Sequence, residues 1–438
     1  MANTTKETGF LDRFFEVTKR GSTIGTEFRG GLIIFMTMVY IIILNPIILA
    51  GGAKDVTGGT LDFAQVGSAT ALTAGVMTIL FGVVARLPFA LAAGLGINSF
   101  LAVSIVKNVT WAEAMGLVVI DGVIIVILAA TGLRTMIFNA VPAQLKTAIT
   151  VGIGLFIAFI GLVDGGFVRR AQEGAVPVTL GVGGVLQGIP TLTFVIGVLL
   201  IAVLMALRVR AAILIGLVST TVLAIIFELV FKVGPKFGPD GAFNPLGWDI
   251  TVPHIPTSIV ALPNLNLVGT FNFGAFERIG VLAALMLVFT LVFSNFFDAM
   301  GTMTGLSKQA GLADEKGNFP RLQSALVIEG VGAVAGGVTA TSSNTVYIES
   351  ASGIAGGART GLATTFTGIL FLLAMFLTPL TSVVPLEVGA SALVIVGALM
   401  MAQVVDIDWK DWSASFPAFL AIIVMPLTYS IANGIGAG

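Results

Sequence analysis

Residues 339–359 read TATSSNTVYIESASGIAGGAR and lie where a membrane helix is expected. The first half is almost entirely small and polar, and Glu349 adds a carboxylate. A membrane span needs about 20 mostly apolar residues, and irregular backbone in hydrocarbon must be covered by protein or by an aqueous cavity. We therefore predict an extended piece over 341–346 and a short half-helix from about Tyr347. Broken spans of this kind bind the substrates of secondary transporters.

The composition is that of a membrane protein. Of 438 residues, 56% are hydrophobic and 10% are charged, whereas soluble domains contain about 25% charged residues. The net charge of −1 gives no reason to expect a nucleic-acid partner. There is no cysteine, and the single histidine, His254, lies in a proline-rich loop. A cysteine nucleophile and a thiolate metal site are excluded, so we expect no metal, no cofactor and no enzyme.

The apolar segments predict an all-α polytopic protein with about fourteen transmembrane segments. Residues 1–27 are predicted to be a cytoplasmic tail, in which LDRFFEVTKR forms either an amphipathic helix on the membrane surface or solvated chain. A first repeat covers 28–231, a proline-rich extracytoplasmic connector with some strand covers 232–278, and a second repeat covers 279–438. The predicted segments are 28–50, 66–85, 88–106, 115–133, 147–163, 191–207, 211–231, 280–305, 322–338, 340–356, 361–378, 383–403, 413–424 and 426–436.

The distribution of basic residues supports this topology. With the N-terminus in the cytoplasm, fifteen of the 22 Lys and Arg residues fall in inner segments and seven in outer ones, as the positive-inside rule requires. Because each half has an odd number of segments, the second half inserts upside down relative to the first, which is the inverted-repeat plan of many transporters. We expect a multi-pass protein of the cell (inner) membrane.

The third segment repeats the features of the tenth. The stretch PFALAAGLGINSFLA (88–102) is short, is interrupted at Gly94 and Gly96, and is polar at Asn98 and Ser99. Two interrupted segments at corresponding positions of two halves indicate a central binding site.

Few ionisable residues fall inside the predicted hydrocarbon region. Carboxylates there cost roughly 2.5–3.5 kcal/mol each by insertion scales, so they should face the protein interior. Asn295, Asp298 and Thr302 share one helical face by their i, i+3, i+7 spacing. Asp298 is either a substrate ligand or a structural carboxylate, and Glu349 is either a ligand or a charge at a helix start. For Asp121 and Glu329 we favour helix packing.

Thr302 is a candidate for substrate binding, and so are three further residues. Asn98 has an amide that both donates and accepts hydrogen bonds, which suits the edge of a heterocyclic base, although a bond between helices explains it as well. Tyr347 offers a stacking ring or a hydroxyl, or simply packs, and Ile348 lies between it and Glu349. Two carboxylates in a dry cavity are sufficient for proton coupling.

The chain closely resembles the adenine/guanine/hypoxanthine permeases of the nucleobase:cation symporters, over nearly its whole length. The resemblance implies a seven-plus-seven inverted repeat with short strands in segments 3 and 10. It also implies a core domain of segments 1–4 and 8–11, a gate domain of segments 5–7 and 12–14, and a homodimer. Ala299 stands where the family more often has Thr. The matching stretches are TEFRGGLIIFMTMVYIIILNP (26–46), AAGLGINSFLA (92–102), FFDAMGT (296–302) and TSSNTVYIESASGIAGGARTGL (341–362).

The resemblance further implies that Asp298 and Glu349 hydrogen-bond a purine, that Asn98 contributes from segment 3, and that uptake is driven by protons. We therefore predict a secondary active transporter that imports purine nucleobases by proton symport with alternating access. Its expected partners are the purine substrate and the lipid bilayer. The alternative is a transporter of the same fold with a different small substrate. That substrate would be uracil or xanthine, or else an anion such as sulfate or bicarbonate. Central carboxylates argue against an anion.

Overall fold

The structure is a computed structural model that describes residues 9–133, 136, 142–171, 177–237, 243–256, 258–313 and 319–438. The chain is mostly helical. In chain order the helices are α1 (Phe10–Phe15), α2 (Ile24–Met38), α3 (Ile41–Ala50), α4 (Phe63–Val84), α5 (Leu95–Phe100), α6 (Trp111–Ala130), α7 (Ala143–Asp164), α8 (Ile189–Ala206), α9 (Ala212–Phe231), α10 (Ala275–Arg278), α11 (Val281–Gln309), α12 (Leu322–Val338), α13 (Ser350–Ala355), α14 (Gly361–Ala374), α15 (Leu386–Met401), α16 (Trp412–Thr428) and α17 (Ile431–Ala437). The strands are β1 (Leu91–Ala93), β2 (Val168–Arg170), β3 (Val178–Leu180) and β4 (Asn344–Val346).

The predicted strands in segments 3 and 10 are confirmed, and they pair with each other. β1 and β4 are antiparallel, with Ala92 opposite Thr345. Two further hydrogen bonds extend the ladder, from Gly94 N to the Ser343 carbonyl (2.8 Å) and from Tyr347 N to the Ala90 carbonyl (3.0 Å). Pairing the two broken segments satisfies the backbone groups that hydrocarbon would leave without partners.

The half-helix of segment 10 begins later than predicted. We placed its start at about Tyr347, but α13 begins at Ser350, with Glu349 as its N-cap residue. The physical reason is that the Tyr347 amide still belongs to the ladder with Ala90. The extended part is also shorter than the predicted 341–346, because only Asn344–Val346 form a strand.

Glycines on α12 allow β4 to pass close to that helix. A Cβ atom at Gly336 would lie 1.7 Å from the carbonyl oxygen of Ser342, and one at Gly332 would lie 3.2 Å from that of Asn344. Ser342 has a positive φ of 70°, so the chain turns sharply just before the strand. The crossing of the two broken segments therefore depends on small residues beside it.

Within the described residues, nine helices are long and apolar enough to cross a membrane, and three shorter apolar helices accompany them. A multi-pass membrane protein is thus confirmed, but the count of fourteen is not. Segment 10 contains only a strand and a six-residue helix, and α17 has seven residues. The first span begins at Ile24 rather than at residue 28.

The connections between helices differ from the prediction in two places. In the described part of the connector 232–278, the expected strand is reduced to isolated bridges, such as that between Pro235 and Trp248. An antiparallel hairpin of β2 and β3, which we did not predict, lies between α7 and α8. The connector also contains the short helix α10.

The helix pairs that pack together map onto one another when the two predicted repeats are exchanged. α4 packs on α14 and α6 packs on α12, and these two pairs are equivalent when the halves are exchanged. α7 packs on α15, its own counterpart.

The most extensive contacts also separate the helices into a first group, α2–α6 with α11–α14, and a second group, α7–α9 with α15–α17. The assignment of segments to a core domain and a gate domain, and the movement of these domains, remain predictions.

The end of the predicted cytoplasmic tail packs against the helices. Phe15 and Val17 are buried and form a small apolar cluster with Leu362 of α14. A 3₁₀ turn over Thr18–Arg20 follows α1. From residue 9 onward, therefore, this segment is a docked helix and not solvated chain.

Candidate functional site

A cavity of about 520 Å³ lies between the two groups of helices. The first group contributes residues of α2, α5 and α11 and of the stretch 345–352, and the second group contributes residues of α7, α8 and α15. The connection between α8 and α9, including Arg208 and Arg210, also lines it. The predicted topology places that connection on the cytoplasmic side. Both broken segments therefore face one cavity, as a central binding site requires.

Glu349 lines the cavity and is held by Tyr40. The Tyr40 hydroxyl donates a hydrogen bond of 2.6 Å to Glu349 Oε1. Tyr40 lies in the interruption between α2 and α3, where the first span is not regularly helical. One turn away, the hydroxyls of Thr37 and Ser352 lie 2.9 Å apart. The first span thus positions the acidic end of segment 10.

Asp298 lines the cavity from α11. Its side chain is half-buried, and no described residue donates a hydrogen bond to its carboxylate. Ser294 and Thr302, one turn to either side, also line the cavity. The polar face is therefore formed by residues 294, 298 and 302.

Asn295 does not share this face, contrary to our prediction from its spacing. Its side-chain amide donates to Ser343 Oγ at 2.7 Å and to Asp121 Oδ2 at 3.3 Å. It links α11 to the broken segment and to α6, on the side away from the cavity. Asp121 and Glu329 are fully buried and do not line the cavity, which agrees with the packing roles that we favoured.

Tyr347 and Ile348 both line the cavity, with different exposure. The Tyr347 ring is 6% exposed, and its hydroxyl donates to the Ala93 carbonyl of β1. Its hydroxyl is thus occupied, and the ring forms part of the wall. Ile348 is 47% exposed and offers an apolar surface next to Glu349.

Asn98 lies outside the cavity lining, unlike its neighbours over 94–97. It is fully buried, and its Nδ2 donates to Oδ1 of Asn45 on α3. Asn45 in turn donates to Thr70 Oγ1 at 2.8 Å and to the Thr341 carbonyl at 3.2 Å. This placement fits the alternative of a bond between helices, and a role of Asn98 in substrate binding remains a prediction.

Tyr40, Thr37 and Ser352 line the cavity but are not among the predicted site residues. The sequence does contain one indication of Tyr40, because the chain has only three tyrosines. Thr37 and Tyr40 are three residues apart, and so are Glu349 and Ser352. Arg208 and Arg210 also line the cavity and are not among the predicted site residues. The wall is therefore acidic at the broken segments and basic at the α8–α9 connection. Among the described residues, no group of three His, Cys, Asp or Glu side chains is arranged to hold a metal ion.

Fold and cavity together define a multi-pass membrane protein with a central cavity that lies between two groups of helices and is lined by both broken segments. Comparison with known proteins gives the family: a model described as "Permease family" matches residues 25–436, and the chain belongs to this family. The chain is 40% identical to the guanine/hypoxanthine permease PbuG of Bacillus subtilis, over 98% of this chain and 92% of that protein. It is 36% identical to the adenine permease AdeP of Escherichia coli, over 98% and 89%.

Solved structures with the same fold are membrane transporters of low sequence identity. The transmembrane domain of the cyanobacterial bicarbonate transporter BicA matches with a TM-score of 0.63 at 17% identity, covering 94% of this chain and 96% of that one. Murine Slc26a9, an anion transporter in the inward-facing state, matches with a TM-score of 0.60 at 11% identity, covering 100% and 72%. These likenesses concern the fold.

Proposed function

We propose that the protein imports purine nucleobases of the adenine, guanine and hypoxanthine class by proton symport with alternating access. The observation that carries the proposal is the pair of carboxylates, Asp298 and Glu349, that line one cavity beside the crossing of two broken segments. The names of the similar permeases support the substrate class.

The chemistry of the cavity suits a neutral, planar base. Ionised carboxylates are acceptors only, so Asp298 and Glu349 would take N–H donors from the ring edge. Tyr40 already donates to one oxygen of Glu349 and so fixes the direction of the carboxylate. Ile348, Leu95 and Ile153 supply apolar surface around the ring. An anion would be repelled by the same two carboxylates.

The same carboxylates offer a site for the coupling proton. When one of them is protonated it becomes a donor, so its bonds with the base change with its protonation state. The cavity lies between the two groups of helices, and their relative movement would carry its opening from one side of the membrane to the other. In this proposal the protein lies in the cell (inner) membrane with its N-terminus on the cytoplasmic side. It functions as a homodimer.

Uptake by proteoliposomes tests the proposal. Labelled hypoxanthine, guanine and adenine should accumulate when an inward proton gradient is imposed and not when an inward sodium gradient replaces it. Asp298→Asn and Glu349→Gln should each abolish accumulation. Uptake of sulfate or bicarbonate but not of purines would contradict the substrate class, and undiminished purine uptake by both variants would contradict the site.

A further inference from the structure

Arginine side chains fasten the N-terminal segment 9–22 to the rest of the protein. The Arg20 side chain is 9% exposed. Its Nη1 donates to the carbonyl oxygens of Arg86 (2.7 Å) and Arg359 (3.4 Å). Arg321 Nη1 donates to the Val84 carbonyl at 3.1 Å. Guanidinium groups from three parts of the chain therefore gather at the end of α4.

Among the described residues of this cluster, the basic side chains outnumber the carboxylate that forms ion pairs with them. Glu16 is this carboxylate, at 3.3 Å from Arg20 and 3.6 Å from Lys19. Asp12 accepts hydrogen bonds from the backbone and side chain of Thr18. Burial, together with the charges of Arg321 and Arg20, lowers the pKa of Arg86 below its usual range. Arg86 Nε is buried and has no hydrogen-bond partner among the described residues. A cluster of guanidinium groups, one of which has a buried donor without a partner among the described residues, favours an anion.

Apolar side chains of α1 lie beside the cluster. The Phe14 ring packs against the Arg86 guanidinium, with 4.3 Å from Cζ to the ring centroid. Phe10 is 72% exposed and Leu11 is 39% exposed. A short helix that exposes large apolar residues next to basic ones is typical of segments at the boundary between head groups and acyl chains.

We propose that Arg86, Arg321 and the N-terminal segment form a binding site for an anionic phospholipid head group. The guanidinium groups would bind the phosphate oxygens, because their planar donors match that geometry. Phe10 and Leu11 would enter the interface beside the same lipid. The predicted topology places α1 and the end of α4 at the cytoplasmic surface, where clustered basic residues bind anionic lipids.

The test uses the purified full chain in mild detergent, titrated with phosphatidylglycerol or with zwitterionic phosphatidylcholine. Retained lipid is counted by native mass spectrometry, and the midpoint of thermal unfolding is followed in parallel. Phosphatidylglycerol should be retained and should raise the midpoint, whereas phosphatidylcholine should do neither. Arg321→Gln and Arg86→Gln should each weaken retention by about fivefold, the change expected for one basic residue near an anionic surface.

Matched variants separate a defined site from diffuse charge. Lys410→Gln removes an exposed cation from another predicted cytoplasmic loop and should leave retention unchanged. Phe10→Ser should weaken retention with no change in charge. Equal loss in Lys410→Gln and Arg321→Gln, or equal retention of both lipids, would overturn the proposal.

A further arm identifies the source of the phosphate. Glycerol 3-phosphate offers the phosphate without acyl chains, and it should not stabilise the protein at the concentrations at which phosphatidylglycerol does. Stabilisation by glycerol 3-phosphate alone would overturn the assignment to a lipid. Should Arg86→Gln fail to fold, Arg321→Gln decides the result, because the Arg321 side chain is exposed.

Discussion

At the scale of single residues, the hydroxyl of Tyr40 is the contact that the proposed site depends on most directly. Tyr40→Phe removes the bond to Glu349 Oε1 with almost no change in shape. Hydrogen bonds to charged groups contribute roughly 1.5–3 kcal/mol, so we expect the KM for purine uptake to rise about tenfold or more. Uptake kinetics in proteoliposomes measure this.

Tyr347→Phe is the matched control for Tyr40→Phe. It also removes one hydroxyl from the cavity wall, but that hydroxyl is bonded to the Ala93 carbonyl and not to a carboxylate. We expect a lower unfolding midpoint with a KM near that of the wild type. If both variants changed KM alike, the particular role given to Tyr40 would be wrong.

Asn98 allows a test that separates stability from binding. Asn98→Ala leaves Asn45 Oδ1 buried without its donor, which costs about 1–3 kcal/mol. We therefore expect a lower midpoint of thermal unfolding and an unchanged KM. A raised KM at an unchanged midpoint would instead support Asn98 as a substrate ligand.

The sequence shows which polar residues lie in apolar segments, but it does not predict the direction of their side chains as well. Glu349 and Asp298 stand out because carboxylates are expensive in hydrocarbon, and both line the cavity. Asn98 is also polar and buried, but its direction depends on Asn45, which is distant in sequence. Spacing likewise placed Asn295 beside Asp298, whereas its contacts with Ser343 and Asp121 turn it away. Such directions are set by tertiary contacts.

At the scale of elements, the crossing of α12 and β4 requires the absence of a side chain. Gly336→Ala would place Cβ 1.7 Å from the Ser342 carbonyl oxygen, a contact that only backbone movement can relieve. Overpacking typically costs 1–3 kcal/mol, and movement of Ser342 would also displace the strand that leads to Glu349. We expect a lower unfolding midpoint and a loss of uptake.

Gly305→Ala serves as the control for Gly336→Ala. It is also a glycine within a membrane helix, α11, but a Cβ atom there meets nothing within 4 Å. Because Ala favours helix over Gly by up to about 1 kcal/mol, the midpoint should stay the same or rise. An equal loss in both variants would indicate a general sensitivity to helix substitutions.

A loop carboxylate at the end of the first span gives a pH-dependent contact. Burial acts to raise the pKa of Asp55, but hydrogen bonds from Thr57, Trp111 and Gly59 outweigh it and lower the pKa below 3.8. A lowered folded-state pKa stabilises above the unfolded value, and the stabilisation is lost as pH falls through the folded value. Asp55→Asn should therefore reduce the midpoint at pH 7 and make it less dependent on pH below about 4.

The length of the apolar segments predicts the helices, but it does not predict the structure of the connections between them. Each long predicted span contains a helix, because a chain in hydrocarbon must satisfy its own backbone. The hairpin of β2 and β3 is not required in this way, and its strands of three residues each are too short for an alternation of apolar and polar residues to predict them. The pairing of β1 with β4 also joins residues some 250 positions apart, which local pattern alone does not reveal.

At the scale of the whole molecule, the position of the cavity predicts the side from which it can be reached. The chain has no cysteine, so a single introduced thiol reports one site without background. Met400 lines the cavity from α15, in the same group as the α8–α9 connection with Arg208 and Arg210. We predict that Met400→Cys reacts with a membrane-impermeant maleimide in inside-out vesicles and that hypoxanthine slows the reaction. Lys410→Cys, which is exposed in a predicted cytoplasmic loop outside the cavity, should react in the same vesicles and should not be protected by hypoxanthine. Reaction of Met400→Cys in intact cells only would show that the resting cavity opens outward and would contradict this prediction.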